Sequence, residues 1–531
     1  MKRLFLALVM VVLSMALTYL GVQQASAAPA AEKTSPASTP KPKAPTPQYG
    51  GVLRIIQSSS PPNLGYPATM DGPSTYSASP ALEPIMDIDR QGRFQPTKLA
   101  TGYAVAPDGK SVTLTLRKGV KFHDGTDFNA KAAKWNLEKA IEGKIYGTAT
   151  WASIDAVDDN TVRINLKQVD YTVAGNLGGP SCYMISPTAF QKNGMNWALT
   201  HPVGTGPFKL KSFERDVAAK YEKFTDYWQK GLPYLDGIEM VYVKDAMVAS
   251  ASMQAGETHV YWSPNSLAAS DLRAKGFQII APSPQILIEL TPDSVNANSI
   301  LAKKKVREAL EHATDREAIA KAMGYGFWTA LNQWCDPRWV GYNPDLKGRE
   351  YNPGKAKQLL AEAGHPNGFK TKIIVEQAVV ETLNQDSLVA IQNNWKEAGV
   401  DLTLEVVPRA KFVEYRTKGW HDGFILGRTA VDAVYFSNIL DRMHSPDGRT
   451  YTSTLRPPGY GDLLTAAYAS RDFDTYRARV QRVVRLIHDE ATMLPLWSLL
   501  TVRVAAQSVQ DPGFYAVHYD YWTPDKVWLS K

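Results

Sequence analysis

Hydrophobic and polar positions change period along this chain. Val112, Leu114 and Leu116 alternate with polar residues, and so do Val162, Ile164 and Leu166. A period of two predicts half-buried strands. Asp158-Asp159-Asn160 before the second run is a turn cluster, because it lacks the spacing of a calcium loop. From about 300 to 490 the period lengthens. Val306, Ala309, Leu310 and Ala313 form a helical stripe, and Thr314-Asp315-Arg316-Glu317 is a capping box that restarts a helix through Ile319, Ala320 and Met323. Asn352-Pro353 opens another helix with Leu359, Leu360 and Ala363 on one face, closed by Gly364. Lys372 to Val375 predicts a strand. Thr382 to Ala398 predicts a helix with Leu388, Ile391 and Trp395 on one face and Gly399 as its stop. Val400, Leu402, Leu404 and Val406 alternate as the next strand.

Strand, helix and strand in that order require a parallel pair with a right-handed crossover. Phe412 and Tyr415 suit a further helix, and Phe424-Ile425-Leu426 a third strand. Open α/β sheets bind ligands beyond the carboxyl ends of their strands. The stretch after Leu426 is therefore the first place to seek a site: Gly427-Arg428-Thr429-Ala430-Val431-Asp432-Ala433-Val434-Tyr435-Phe436. It mixes aromatic, cationic and anionic groups, as small-molecule pockets do; the alternative is an ordinary surface loop.

The N-terminus carries a different signal. Lys2 and Arg3 precede an uncharged run from Leu4 to Leu20, and Ala25-Ser26-Ala27 is a small-x-small cleavage site. This is the order of a secretory signal peptide over 1–27, with an uncleaved anchor as the alternative. No Cys lies near the cleavage site, so the expected product carries no lipid. Pro29 to Pro47 is rich in Ala, Pro, Thr, Ser and Lys, which predicts a flexible linker over 28–48. Ordered structure is expected from Tyr49-Gly50-Gly51-Val52-Leu53.

Composition narrows the classes. The chain of 531 residues is 44% hydrophobic, enough to bury a core, and about 150 residues per domain gives three or four units. Its 2 Cys exclude a disulfide scaffold and a multi-Cys zinc array. Cys182 and Cys335 are expected as free thiols, a disulfide being the alternative. A net charge of +7, dispersed along the chain, gives no case for a nucleic acid partner. There is no G-x-S-x-G, H-E-x-x-H, Walker A or G-x-G-x-x-G motif, and the 9 His lack metal-ligand spacing. No catalytic residue, cofactor or metal site is expected. In His123-Asp124-Gly125-Thr126 a turn is expected over a His–Asp pair. Arg477, Arg479, Arg482 and Arg485 read as the solvated face of an amphipathic helix whose stripe is Tyr476, Val480, Val483, Val484 and Ile487.

Several segments in order resemble one family. They are Leu114-Thr115-Leu116-Arg117-Lys118-Gly119-Val120-Lys121-Phe122-His123-Asp124-Gly125-Thr126, Gly50-Gly51-Val52-Leu53, Pro202-Val203-Gly204-Thr205-Gly206-Pro207-Phe208 and Tyr227-Trp228 with Gly231-Leu232-Pro233-Tyr234-Leu235-Asp236. Ala255-Gly256-Glu257, Val306-Arg307-Glu308-Ala309-Leu310 and Leu359-Leu360-Ala361-Glu362-Ala363-Gly364 continue the series. Together they resemble the family 5 (peptide/nickel-binding) extracytoplasmic solute-binding proteins of ABC importers, from about 50 to 500.

The resemblance implies an α/β, two-lobed periplasmic-binding-protein fold of type II, its lobes joined by two crossover segments. Lobe I would comprise 48–288 and 502–531 with an extra subdomain at about 90–205, and lobe II 289–501. The crossovers would lie near Ile286 to Leu290 and Pro495 to Trp497. The implied protein is a periplasmic monomer without catalysis. It would close on a small solute (an oligopeptide or dipeptide, an opine-like, sugar or other organic solute) and dock on an ABC permease in the cytoplasmic membrane. A secreted hydrolase and a ligand-binding sensor or chaperone are the rival readings.

Peptide-binding relatives often hold the peptide's amino terminus with an acid in a W-x-x-D-x-x-D-P-like loop. Here Thr429 stands at that acid, Asp432 matches the second acid and Ala433 replaces the Pro. Arg428 adds a positive charge, so an anionic or aromatic solute enters consideration. The remaining cleft candidates are Tyr261, Trp262, Trp334, Arg338, Trp339, Tyr435, Phe436 and Trp497. Aromatics bury large areas at small entropic cost, though a Trp equally serves a core.

Overall fold

A computed structural model describes residues 46–70, 72–89, 93–145, 147–179, 182–383, 385–430, 440, 450–515 and 522–531. The expected signal peptide and nearly all of the linker lie outside them. Pro47–Lys531 forms a unit distinct from Met1–Thr46 and is described by itself.

The chain enters on β1 (Val52–Gln57) and then builds a four-stranded antiparallel sheet from β2 (Ala100–Val105), β3 (Ser111–Leu116), β4 (Trp151–Asp158) and β5 (Thr161–Leu166), in the order β2-β3-β5-β4. Val112, Leu114, Val162 and Ile164 are buried, as their alternation predicts, against α1 (Ala130–Glu142). The turn between β4 and β5 closes on Asp158, which accepts from Asn160 N at 2.8 Å. Chain then returns to the first sheet through β6 (Phe208–Glu214), β7 (Ala218–Lys223), β8 (Gly237–Tyr242) and β9 (Val260–Trp262).

The long strand β10 (Gln278–Pro292) leads into the second half, with α2 (Lys304–His312), α3 (Arg316–Met323), α4 (Pro353–Glu362), β11 (Phe369–Glu376), α5 (Gln377–Leu383), α6 (Gln385–Glu397), β12 (Val400–Val407), α7 (Arg409–Lys418), β13 (Gly423–Ala430), α8 (Tyr460–Tyr468), α9 (Phe473–Asp489) and β14 (Leu494–Ala505). One 11-stranded sheet runs β6-β7-β8-β1-β9-β14-β10-β13-β11-β12, with the short strand Trp328–Ala330 on β14. β11 pairs in parallel with both β12 and β13, as the strand–helix–strand pattern requires.

Two local expectations need correction. Thr314 does not cap α3. Its hydroxyl donates to Leu310 O and accepts from Trp395 Nε1, while Asp315 caps by accepting from Ala318 N at 2.9 Å. The helix expected over 382–398 is two helices and begins at Gln377, because buried Val379 and Leu383 extend the apolar stripe toward β11.

Among the described strands, β10 and β14 pair along both halves of the sheet. Their ladder shifts between Ile280 and Ser283, between Pro284 and Ile286 and between Ile288 and Glu289. Pro282, Pro284 and Pro495 fall at these shifts, where a residue without N–H cannot donate to the ladder. Separate apolar clusters flank the sheet's two halves and fill the four-stranded sheet.

Candidate functional site

β13 does not stop at Leu426. It pairs with β10 through Leu290↔Leu426, Glu289↔Gly427, Ile288↔Arg428, Leu287↔Thr429 and Ile286↔Ala430. The length of β10 supplies partners for four more residues than the apolar run suggests. Gly427 to Ala430 are therefore strand, not loop. Asp432, Tyr435 and Phe436 lie outside the described residues.

The extension buries an acid. Glu289 is fully buried and accepts from Thr429 Oγ1 at 2.8 Å. Gly427 lies opposite it, and a Cβ there would overlap Glu289 Oε1. Burial pushes the Glu289 carboxyl up to about 7, while hydrogen bonding from Thr429 and Trp334 draws it back. Thr429 thus faces a buried carboxyl inside the sheet.

Arg428 points elsewhere and is exposed. It sits at the carboxyl ends of β11 and β13 with Glu376 and Arg409, whose Nη1 donates to Glu376 Oε1 at 3.0 Å. Protein mass around Arg428 lowers its pKa, Glu376 opposes this and Arg409 adds to it. Arg409 bonds the Glu376 carboxylate, and Arg428 feels its charge.

Arg338 and Trp339 line a cavity of about 1090 Å³ between the four-stranded sheet and the α8–α9 region. Asp336, fully buried, fixes Arg338. Its Oδ1 accepts from Arg338 N and Nε, its Oδ2 from Arg338 Nη2 at 2.7 Å and from Ser498 Oγ. Phe94, Tyr103 and Tyr171 form the apolar part of the opposite wall. Asp170 on that wall accepts from Thr150 Oγ1 at 2.6 Å and from Thr172 N and Oγ1, and burial raises its pKa.

Two direct bonds and a ring stack bridge the walls. Tyr171 N donates to Tyr468 O at 3.0 Å, the Tyr171 ring stacks on Tyr476 at 4.9 Å, and Arg471 Nη1 donates to Pro107 O at 2.9 Å.

Four aromatic candidates lie in the core. Trp262 is packed by Tyr76 at 4.7 Å, Phe514 at 4.9 Å and the Arg503 guanidinium at 5.1 Å. Tyr261 is buried beside it. Trp497 is buried, donates from Nε1 to Arg316 O at 2.9 Å and packs 5.3 Å from Trp328. Trp334 is buried in the cluster that also holds Trp339.

The structure brings Arg338 and Trp339 together. It sets Arg428 apart at the strand ends. Sequence reasoning missed Glu289, Glu376, Arg409, Tyr171 and Arg471. Glu289 alone carried a signal: one acid inside the apolar run Ile286-Leu287-Ile288-Glu289-Leu290.

His123 is half-buried with Nε2 2.9 Å from Gly206 O, and the protein packed around its ring lowers its pKa to about 4. Asp124 instead accepts from Thr126 N and Oγ1 and from Ser186 Oγ. The two residues form no acid–base pair, as the turn reading expects. Cys182 and Cys335 are both buried and free. Among the described residues no helix is long and apolar enough to cross a membrane.

A family profile described as bacterial extracellular solute-binding proteins, family 5 middle, matches residues 96–442. The glutathione-binding protein GsiB of Salmonella choleraesuis (strain SC-B67) is 38% identical over 281 residues, which cover 52% of this chain and 54% of that protein. The chain spans about half the length of the curated relatives it matches. Among solved structures, the periplasmic binding protein DppA from Helicobacter pylori in complex with peptide STSA superposes with a TM-score of 0.75 at 24% identity, covering 91% of this chain and 99% of that one. HbpA2 from Haemophilus parasuis gives 0.79 at 23% identity, covering 91% and 100%. The architecture is the two-lobed, type II periplasmic-binding-protein fold.

Proposed function

The chain belongs to the bacterial extracellular solute-binding proteins of family 5, and on that premise we propose that it captures a peptide or peptide-sized solute between its lobes. It delivers that solute to the permease of an ABC importer. The observation that carries the reading is the cavity of about 1090 Å³, just above the usual range for small-molecule sites and so roomy enough for a peptide-sized solute, with Arg338 and Trp339 on one wall.

The lobes are 48–288 with 502–531, and 289–501, and the subdomain spans about 90–205. Hinge motion is carried by the shifted ladder of β10 and β14, where prolines interrupt the pairing and bending breaks fewest bonds. With 1–27 read as an export signal and 28–48 as a linker, the working chain acts in the periplasm, as a monomer without catalysis.

A thermal-shift screen tests this. The panel is glutathione, which the curated relatives are named for binding, together with di- to tetrapeptides, opine-like compounds and sugar acids. One class should raise the melting midpoint in a concentration-dependent, saturable way. Silence across the whole panel would sink the reading.

A further inference from the structure

The charge of the cavity bears on what it takes. Four lining side chains are arginines, Arg93, Arg338, Arg471 and Arg477, and one is a carboxylate, Asp170. Three of the arginines are paired: Arg93 with Asp89 at 2.8 Å, Arg338 with Asp336 at 2.7 Å and Arg477 with Asp474 at 2.8 Å. Arg471 makes no ion pair among the described residues. Its Nη1 meets the Pro107 carbonyl. Asp170 spends its oxygens on Thr150 and Thr172 and forms no ion pair with these arginines among the described residues. The described lining therefore holds an excess of N–H donors, and Arg471 is a guanidinium there that no described carboxylate neutralises.

The donors are also fixed in place. Arg338 spends Nε and Nη2 on the buried Asp336 and keeps Nη1 for another acceptor, with the side chain 44% exposed. Arg471 is tethered across the cavity wall by its bond to Pro107. Guanidinium groups held this way lose little rotamer freedom when they bind, and their planar forks suit oxyanions.

We infer that the solute of this cavity is acidic: its surplus carboxylate meets Arg471 and the remaining Nη1 of Arg338, and its apolar part lies against Trp339 and Phe94. This rests on the reading of the chain as a solute-capturing protein.

Matched probes separate the two claims. Calorimetric titrations compare glutathione with its diethyl ester, and N-acetyl-Ala-Glu-Ala as the free acid with N-acetyl-Ala-Gln-Ala amide. The acids should bind at least about tenfold tighter than their esterified or amidated partners, and less tightly as salt rises. Arg471→Gln, whose protein partner is only a carbonyl, should cut that preference to about threefold or less while the fold stands. Equal binding of acids and carboxyl-blocked forms, or a preference unchanged in Arg471→Gln, overturns the inference and leaves solute capture intact. No binding by either series overturns the inference, and the capture reading falls with it only when the whole thermal-shift panel is silent as well.

Discussion

Replacing Glu289 with glutamine removes a carboxyl that the fold holds protonated. Below about pH 4.5 the group carries its proton in both folded and unfolded chains, so it adds nothing to the pH dependence. Between 4.5 and about 7 the unfolded chain releases the proton while the folded chain keeps it. The unfolded state then binds fewer protons, and stability falls as pH rises. At about 1.4 kcal/mol per pH unit, the loss reaches about 3 kcal/mol above pH 7. Glutamine imitates the protonated acid, and its Oε1 accepts from Thr429 in the same way. The stability of Glu289→Gln minus that of the wild type should therefore climb by about 3 kcal/mol between pH 4.5 and 8. Any cost of burying the amide hydrogens is independent of pH and moves the whole difference without changing its slope. His123 has the opposite profile, but it is common to both proteins and cancels. Urea denaturation followed by tryptophan fluorescence at half-unit pH steps reads the difference. Parallel stability curves across that range would refute the reasoning.

Other consequences are equally direct. His123, lowered to about 4 by burial, should stay neutral in the folded chain at pH 5.5. The unfolded chain takes up that proton first, so this residue removes stability as pH falls from 6.5 toward 4; an NMR titration placing the His123 ring near 6.5 would contradict it. Ellman's reagent should find no fast-reacting thiol in the native protein and two after denaturation, since both cysteines are buried and burial pushes Cys182 up to about 12. A missing thiol after denaturation would reveal a disulfide. Trp262→Ala should cost about 3–5 kcal/mol of stability by opening the core around Tyr76 and Phe514, yet leave solute affinity within about threefold; a large loss of affinity at unchanged stability would return Trp262 to the site.

The strands and helices were legible where apolar spacing alone decides them. Val112 to Leu116, Val400 with Leu402, and the α9 stripe of Tyr476, Val480, Val483, Val484 and Ile487 are buried as their periods require, whereas Leu404 is half-buried and Val406 is exposed at the far end of β12. The end of β13 was not, because Gly427 to Ala430 have little strand character of their own. Their conformation is dictated by β10, a partner distant in sequence. For the aromatics, sequence cannot distinguish a cleft tryptophan from a core one. Trp262 and Trp497 differ from Trp339 only in which elements pack over them. Tyr171 and Arg471 meet Tyr468 and Pro107 across nearly 300 residues or more of chain, and no local pattern announces such contacts.

Closure of the two lobes on a solute is the central claim, and small-angle X-ray scattering reads it directly. The protein is measured alone and with a saturating amount of the solute that raises its melting midpoint. The account predicts a smaller radius of gyration with solute, restored when the solute is dialysed away. A radius unchanged while titration shows the site filled would contradict it.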